Sequence, residues 1–130
     1  PNPPYPILSG LVGSEMCIRD RSVAFQSKDL VEAMQKDNAT FKRLMIDGGM
    51  VNNNWFCQQL ANTLQVEVSR PVIIETTSLG AAFLAGLKAE LFEDLSSLKE
   101  TKVIDKVFLP NADEDRYQEW KDAVKKILVK

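Results

Sequence analysis

The stretch IDGGMVNNNWF, residues 46–56, joins an apolar run to a turn with two glycines and then to an amphipathic segment. The apolar run at residues 44–46 is short, continuous and flanked by charge, which predicts a strand buried on both faces. Gly48 and Gly49 end this strand, and the three asparagines after them are strong helix N-cap residues. The stretch therefore predicts a strand, a tight turn and a helix, the repeating unit of an α/β fold.

Upstream of this stretch, residues 23–36 predict an amphipathic helix. Its apolar face is predicted to contain Val23, Ser27, Leu30, Val31 and Met34. Residues 1–21 differ, because four prolines lie among the first six positions and Gly10 and Gly13 interrupt the residues after them. The string LVGSEMCIRDR also resembles translated sequencing-adapter read-through. We therefore expect residues 1–21 to be non-native or disordered, and residues 22–130 to form the folded unit.

Downstream, residues 66–69 predict a second strand, and Thr76, Thr77 and Ser78 offer N-caps for a third helix. Gly80 and Gly86 lie within that helix. A helical glycine costs about 1 kcal/mol relative to alanine, so close packing against the helix backbone is expected there. A strand–helix–strand order predicts parallel strands, but two are too few for a stable sheet, so further strands are expected outside this chain.

The last helix has acidic residues at its start and lysines in its later turns, as the helix dipole favours. Its predicted apolar stripe consists of Tyr117, Trp120, Val124, Ile127 and Leu128. The acidic run at residues 113–115 is better explained as a solvated helix start than as a metal site, because consecutive helical carboxylates point in different directions.

Composition excludes several classes of function. The 130 residues have no histidine, which rules out histidine triads and histidine-ligated zinc. A formal net charge of −2 gives no cationic field for nucleic acid or an anionic membrane. Two cysteines in so long a chain are typical of free cytosolic thiols, and Cys57 is predicted to be a core thiol rather than a nucleophile.

The turn after the first strand is the main candidate site. Gly48 and Gly49 would let a ligand touch the backbone, and the following helix would offer unpaired N–H groups at the carboxyl end of a parallel strand. The lysine of a phosphate-binding P-loop is missing. The alternative is a purely structural turn in which Asp47 bonds local amides, and the local pattern alone favours it. The asparagines likewise fit either capping or a polar ligand.

Four segments together resemble the FGGY family of carbohydrate kinases, and within it the glycerol kinases. They are SVAFQSKDLVEAM, MIDGGMVNNNW, VEVSRPVIIETTSLGAAFLAGL and YQEWKDAVKK, and the resemblance covers roughly residues 22–130. The glycine turn and the LGAA helix are shared across the family. The SRP…ETTSLGAA context and the Tyr–x–x–Trp tail point to the glycerol kinases in particular.

The resemblance implies part of an actin-like (ribonuclease H-like) ATPase fold, in which this chain is a C-terminal nucleotide-binding lobe without its first strands. It implies ATP as the phosphoryl donor, Mg²⁺ at the phosphates, and glycerol bound by a missing N-terminal lobe and converted to glycerol 3-phosphate. Gly49 and Asn53 would line the adenosine side of the ATP pocket, with Gly48 shaping the turn. A cytoplasmic homodimer or homotetramer would be usual for the family.

The resemblance also limits what this chain can do alone. The general base and the phosphate-binding loops of the family precede the region present here, so no catalytic residue is assigned and the isolated chain is expected to be inactive. Two alternatives remain open. One is another FGGY sugar kinase, acting on xylulose or gluconate. The other is a non-catalytic module that binds adenine nucleotide or packs against a partner through an exposed sheet edge.

Overall fold

The computed structural model describes residues 9–97, 103–112 and 116–128, with backbone only for residues 9–17. None of the helices in these ranges is long and apolar enough to cross a membrane. The elements in chain order are α1 (Ser9–Lys36), β1 (Arg43–Met45), a 3₁₀ turn (Gly49–Asn52), α2 (Asn54–Leu64), β2 (Glu67–Pro71), α3 (Thr76–Lys88), β3 (Ile104–Phe108) and α4 (Tyr117–Leu128). The predicted order of helices and strands from α1 to α3 is confirmed.

The three strands form one mixed sheet in the order β1-β2-β3. β1 and β2 are parallel, as predicted, with Leu44 beside Val68. β3 runs antiparallel to β2, with Phe108 beside Val68. The expectation of a purely parallel sheet is therefore wrong for this third strand. Four of the five residues of β3 are exposed, a pattern that antiparallel strands tolerate and parallel strands rarely show.

β1 is an edge strand among the described residues. Arg43 and Met45 are exposed and only Leu44 is half-buried, so the prediction of a strand buried on both faces is wrong. That prediction rests on the continuous apolar run, because such runs are usual in the interior of parallel sheets. Within the described residues, β2 is the only strand paired with β1, which leaves the outer edge of β1 open.

The core lies around α2, between α1 and the sheet. Cys57 and Ala61 are completely buried, and α2 packs on α1 and on β2. No charged residue lies between Gly48 and Val66, a pattern that predicts extensive cover for this helix, and the burial of α2 confirms it. The buried apolar cluster contains Ala24, Val31, Val51, Phe56, Cys57, Leu60, Ala61, Leu64, Val68 and Phe108.

α1 differs from the prediction in its start and its buried face. It begins at Ser9 rather than near residue 23, because glycine lowers helix stability without forbidding a helix. Leu30 and Met34 are exposed, whereas Ala24 and Phe25 are buried together with Val31. The buried face is displaced because α2 and α4 contact α1 from two directions, which a single amphipathic stripe does not describe. That residues 1–21 are non-native stays a prediction.

α3 starts at Thr76, so the predicted cap residues lie inside the helix. Its N-cap is Glu75, whose side chain makes no capping hydrogen bond, so the prediction of a cap at Thr76, Thr77 or Ser78 is wrong. The expected close packing on glycine is confirmed at Gly86 only, where a Cβ would lie 2.6 Å from the Phe92 ring. At Gly80 a Cβ would meet no atom of the described structure within 4 Å.

α4 is attached to α1 through polar and aromatic contacts. The Tyr117 hydroxyl donates to Asp29, and Lys121 pairs with Glu32 at 3.0 Å. Burial and the Asp29 carboxylate raise the pKa of Tyr117 to about 12. The predicted apolar stripe is buried only at its start, since Ile127 and Leu128 are exposed. The acidic run at residues 113–115 lies outside the described residues.

Candidate functional site

The corner between β1 and α2 depends on the backbone conformation of Gly48. Its φ of 86° lies in the region that residues with a Cβ rarely adopt, so glycine is needed here. The Gly48 N–H donates to the Ile74 carbonyl at 2.8 Å, and the Gly48 carbonyl accepts from the Val51 N–H at 3.2 Å. These bonds tie the corner to the segment before α3 and to the adjoining 3₁₀ turn.

The corner is open at the two positions where its glycines lack a Cβ. A Cβ built at Gly48 or Gly49 would meet no atom of the described structure within 4 Å. Gly49 and Met50 are exposed, while Val51 turns into the core with 2% of its surface exposed. Gly49 therefore presents main chain to the outside, whereas Gly48 is half-buried with its N–H and carbonyl bonded within the protein.

Asn53 is the N-cap of α2, as predicted. Its Oδ1 accepts from the Trp55 N–H at 3.0 Å, and its Nδ2 donates to Asp20 Oδ2 at 3.1 Å. Asp20 is 3% exposed, so this carboxylate fixes the Asn53 amide from inside the protein. An asparagine amide has a second N–H and a second oxygen lone pair. Asn53 can therefore donate one more hydrogen bond and accept one more.

Asp47 connects the end of β1 with the start of α3. Its carboxylate accepts a hydrogen bond from the Thr76 hydroxyl rather than from local amides, in contrast to the structural alternative for this turn. Together with the bond from Gly48 to Ile74, this contact makes the first turn of α3 part of the wall of the corner. The predicted candidates Gly48, Gly49 and Asn53 thus lie in one continuous segment.

Arg70 is a polar residue near the corner that was not among the predicted site residues, because it directly follows the predicted second strand. Its Nε and Nη2 donate to Asp105 Oδ2 at 2.8 and 2.6 Å. Its Nη1 donates to the Val51 carbonyl at 2.7 Å and to Asn54 Oδ1 at 3.0 Å. The available signal was a single charged residue in the apolar stretch between Glu67 and Glu75.

Cys57 is a core thiol, as predicted. Its side chain is completely buried, and Sγ lies 3.2 Å from the Val51 carbonyl oxygen to which it donates. Burial raises the pKa of the thiol, with the nearby Arg70 acting in the opposite direction. A thiol that stays protonated is a poor nucleophile, so Cys57 belongs to the packing of the turn.

The described residues offer no group of three or more metal-ligating side chains. A surface cavity of about 280 Å³ lies between α1 and the start of α4, with Arg21, Phe25 and Trp120 in its wall. It shares no residue with the glycine corner. The corner is thus an open surface of this chain, and its chemistry is that of backbone groups and one oriented amide.

Comparison with protein families gives a match at residues 21–89 to the C-terminal domain of the FGGY family of carbohydrate kinases. A glycerol kinase of Pasteurella multocida is 45% identical over 112 residues, covering 82% of this chain and 22% of that protein. A glycerol kinase of Shewanella baltica is 48% identical over 108 residues, covering 79% of this chain and 22% of that protein. The chain thus spans about a fifth of the length of these relatives.

Solved structures of three sugar and glycerol kinases are similar to this chain. Glycerol kinase from Plasmodium falciparum, determined with ADP, is similar with a TM-score of 0.67 and 30% identity, covering 85% of this chain and 23% of that chain. A ligand-bound xylulose kinase from Lactobacillus acidophilus has a TM-score of 0.66 at 25% identity, covering 83% of this chain and 22% of that chain. A gluconate kinase from the same organism has a TM-score of 0.65 at 25% identity, covering the same shares.

Proposed function

The chain belongs to the FGGY family of carbohydrate kinases and has part of their actin-like ATPase fold, and we propose that it is part of an ATP-dependent glycerol kinase. In this proposal it supplies the adenosine side of the ATP site through Gly48, Gly49 and Asn53. The full-length enzyme would transfer the γ-phosphoryl group of ATP to glycerol, forming glycerol 3-phosphate. Relatives named glycerol kinase at 43–48% identity support this substrate.

The open corner is the observation that carries the proposal. Gly48 holds a conformation that needs glycine, Gly49 is exposed, and at both positions the space that a Cβ would occupy is open. Such a surface allows a flat adenosine moiety to lie directly against the backbone. The bonds to Asp20 and from the Trp55 N–H orient the Asn53 amide. In this proposal its remaining donor or acceptor bonds the nucleoside.

Phosphoryl transfer depends mainly on positioning and on stabilising charge, so a nucleotide held on one side of a cleft contributes binding but little rate. Mg²⁺ would neutralise the phosphates when it is bound. The general base, the phosphate loops and the glycerol contacts are predicted to lie outside this chain. The isolated chain is therefore predicted not to phosphorylate glycerol, and turnover by the purified chain would contradict that. A cytoplasmic homodimer or homotetramer also remains a prediction.

A second candidate is another sugar kinase of the same family. The xylulose and gluconate kinases are nearly as similar in structure as the Plasmodium glycerol kinase, with TM-scores of 0.66 and 0.65 against 0.67. Because this part of the fold is shared, it supports nucleotide binding more strongly than the choice of polyol. The coding sequence upstream of residue 22 would identify the substrate-binding residues.

A chimera tests the proposed nucleotide site. The 112 residues of the Pasteurella multocida glycerol kinase that match this chain are replaced by this chain's own residues, and ADP affinity is measured by calorimetry. Gly49→Val is expected to raise the Kd at least about tenfold, equivalent to about 1.4 kcal/mol, and Gly49→Ala less. Gln35→Val, which puts the same side chain on the exposed end of α1, is the control and should leave the Kd unchanged.

The result separates nucleotide binding from packing. Gly49 is exposed and a Cβ there meets no atom within 4 Å beyond its chain neighbours, so circular dichroism and thermal unfolding should be unaffected by the substitution. An unchanged Kd for ADP in a folded Gly49→Val chimera would show that the corner has a packing role and would overturn the proposal.

A further inference from the structure

Arg70 lies at the carboxyl end of β2 and connects three parts of the molecule. Its guanidinium binds Asp105 on β3, the Val51 carbonyl of the 3₁₀ turn, and the Asn54 side chain at the start of α2. Only 12% of the Arg70 side chain is exposed. Four hydrogen bonds from one largely buried guanidinium exceed what pairing with one carboxylate would require.

A β-bulge turns Asp105 toward this arginine. Arg70 pairs with Lys106 and Pro71 pairs with Ile104, so Asp105 is the extra residue on β3 between the two pairs. A bulge changes the direction in which a side chain points, and bulges are frequent next to active sites. The two short bonds from Arg70 to Asp105 Oδ2 therefore depend on an irregularity at this position of the sheet.

Arg70 is linked to the glycine corner through Val51. The Val51 carbonyl accepts from Arg70 Nη1 at 2.7 Å and from Cys57 Sγ at 3.2 Å. The N–H of the same residue donates to the Gly48 carbonyl at 3.2 Å. Val51 is thus bonded through both its carbonyl and its N–H. The N–H bond links it to Gly48, whose φ is 86°.

We propose that Arg70, held by Asp105, is a positioning residue that fixes the 3₁₀ turn so that the main chain of Gly48 and Gly49 faces the nucleotide. The proposal rests on the function proposed above. The planar guanidinium bonds in several directions at once, which the single ammonium of lysine does not reproduce. Arg70→Lys therefore keeps the charge and the pairing with Asp105 but loses the fixed fork that reaches Val51 and Asn54.

Amide hydrogen exchange in the full 130-residue chain tests the effect on the turn without any nucleotide. The N–H groups of Val51 and Asn53 are bonded within the turn, to Gly48 and Met50. Arg70→Lys is expected to speed their exchange about tenfold and to leave the Gln65 N–H, bonded to Ala61 at the end of α2, unchanged. Equal acceleration at all three groups, or none at the turn, would overturn the proposal.

Two further variants keep this experiment decisive. Asp105→Asn is the milder change, and it should speed exchange at the same two turn amides to a smaller extent, which matters if Arg70→Lys does not fold. Arg43→Lys is the matched control, because Arg43 also pairs with a carboxylate on the neighbouring strand, that of Glu67. It should leave the exchange of Val51 and Asn53 unchanged.

Kinetics of the chimera then test positioning for the nucleotide. Arg70→Lys is expected to raise the KM for ATP about fivefold, with kcat and the KM for glycerol changed less than twofold. Asp105→Asn should act in the same direction, and the double variant should add little, because both act through one contact. A loss of kcat and of glycerol binding together with ATP binding would indicate a general structural role and contradict the proposal.

The failure of the two proposals can be told apart. If Gly49→Val weakens ADP binding but Arg70→Lys leaves the KM for ATP unchanged, Arg70 is not a positioning residue and the nucleotide site stands. If Gly49→Val has no effect on ADP binding, the nucleotide site itself is wrong, and the Arg70 proposal falls with it. In that case the exchange rates of Val51 and Asn53 would still show whether Arg70 orders the turn.

Discussion

α2 and α3 both follow parallel strands and both lack charge over most of their length, yet their surroundings differ. Eight of the eleven residues of α2 are buried, whereas Gly86 is the only residue of α3 that is buried in the described structure. α1, β2 and β3 cover α2. Leu84 of α3, by contrast, is 66% exposed.

A helix without charged residues is expected to be buried, but its sequence does not show which elements bury it. The cover of α2 is supplied by neighbouring elements of the same chain. α3 has the edge-on contact of Phe83 with Phe92, 5.8 Å between ring centroids, and the approach of Phe92 to Gly86. The glycine corner lies where the two regions meet, anchored on the α2 side through Val51 and open above Gly49.

The largest expected effect compares one leucine from each helix. Leu60 is 3% exposed, so Leu60→Ala should lower the free energy of unfolding by about 3 kcal/mol, through lost burial and the cavity left behind. Leu84→Ala should change it by less than about 0.5 kcal/mol, because that side chain is exposed. Urea unfolding of the 130-residue chain measures both, and similar losses for the two variants would break the comparison.

The N-termini of α2 and α3 are also expected to differ in how much their side-chain hydrogen bonds contribute to stability. Asn53→Ala removes the α2 cap and takes the donor away from buried Asp20, so we expect a loss of about 1–2 kcal/mol. Ser78→Ala in the first turn of α3 removes an exposed hydroxyl bonded to the Glu75 carbonyl, and should change stability by less than about 0.5 kcal/mol. Equal losses of unfolding free energy in urea would mean that the α2 cap contributes no more to stability than the exposed hydroxyl of Ser78.

A further comparison concerns the two faces of β2, where the change at Ser69 is expected to be small. Successive strand residues point to opposite faces, so Val68 and Ser69 sample the two sides at the same depth, with 0% and 1% exposure. The Ser69 hydroxyl is buried and has no hydrogen-bond partner among the described residues. Ser69→Ala should therefore be neutral or stabilising by up to about 1 kcal/mol, whereas Val68→Ala should cost about 2 kcal/mol. A clear loss on Ser69→Ala would reveal a partner for the hydroxyl.

Local sequence patterns predicted α2 well, because its cap, its lack of charge and its apolar spacing agree with one another. Asn53 is the cap and Cys57 is a core thiol, as predicted. The same reasoning failed for β1, whose apolar run was assigned cover that the described residues do not supply. In α3 the predicted close packing on glycine is present at Gly86 but not at Gly80. Exposure depends on neighbouring elements, and a local pattern does not contain them.

The candidate site was predicted only in part, because local patterns show some of its residues and long-range contacts bring in the others. The glycine turn and Asn53 are local, and they lie together in the structure. The contacts of Arg70 with Asp105 and Val51 join residues 35 and 19 positions apart, and the bulge that aims Asp105 depends on the pairing of β2 with β3. No periodicity in the chain marks either feature. The antiparallel direction of β3 was missed because it too depends on pairing.

The central claim is that an adenine nucleotide lies against the bare main chain at Gly48 and Gly49. A crystal structure of the chimera with ADP measures this directly. We predict adenosine atoms in van der Waals contact, within about 4 Å, of the Gly48–Gly49 backbone, with the Asn53 amide directed toward the nucleoside. ADP bound elsewhere, with the corner filled by protein side chains from the rest of the enzyme, would contradict the claim.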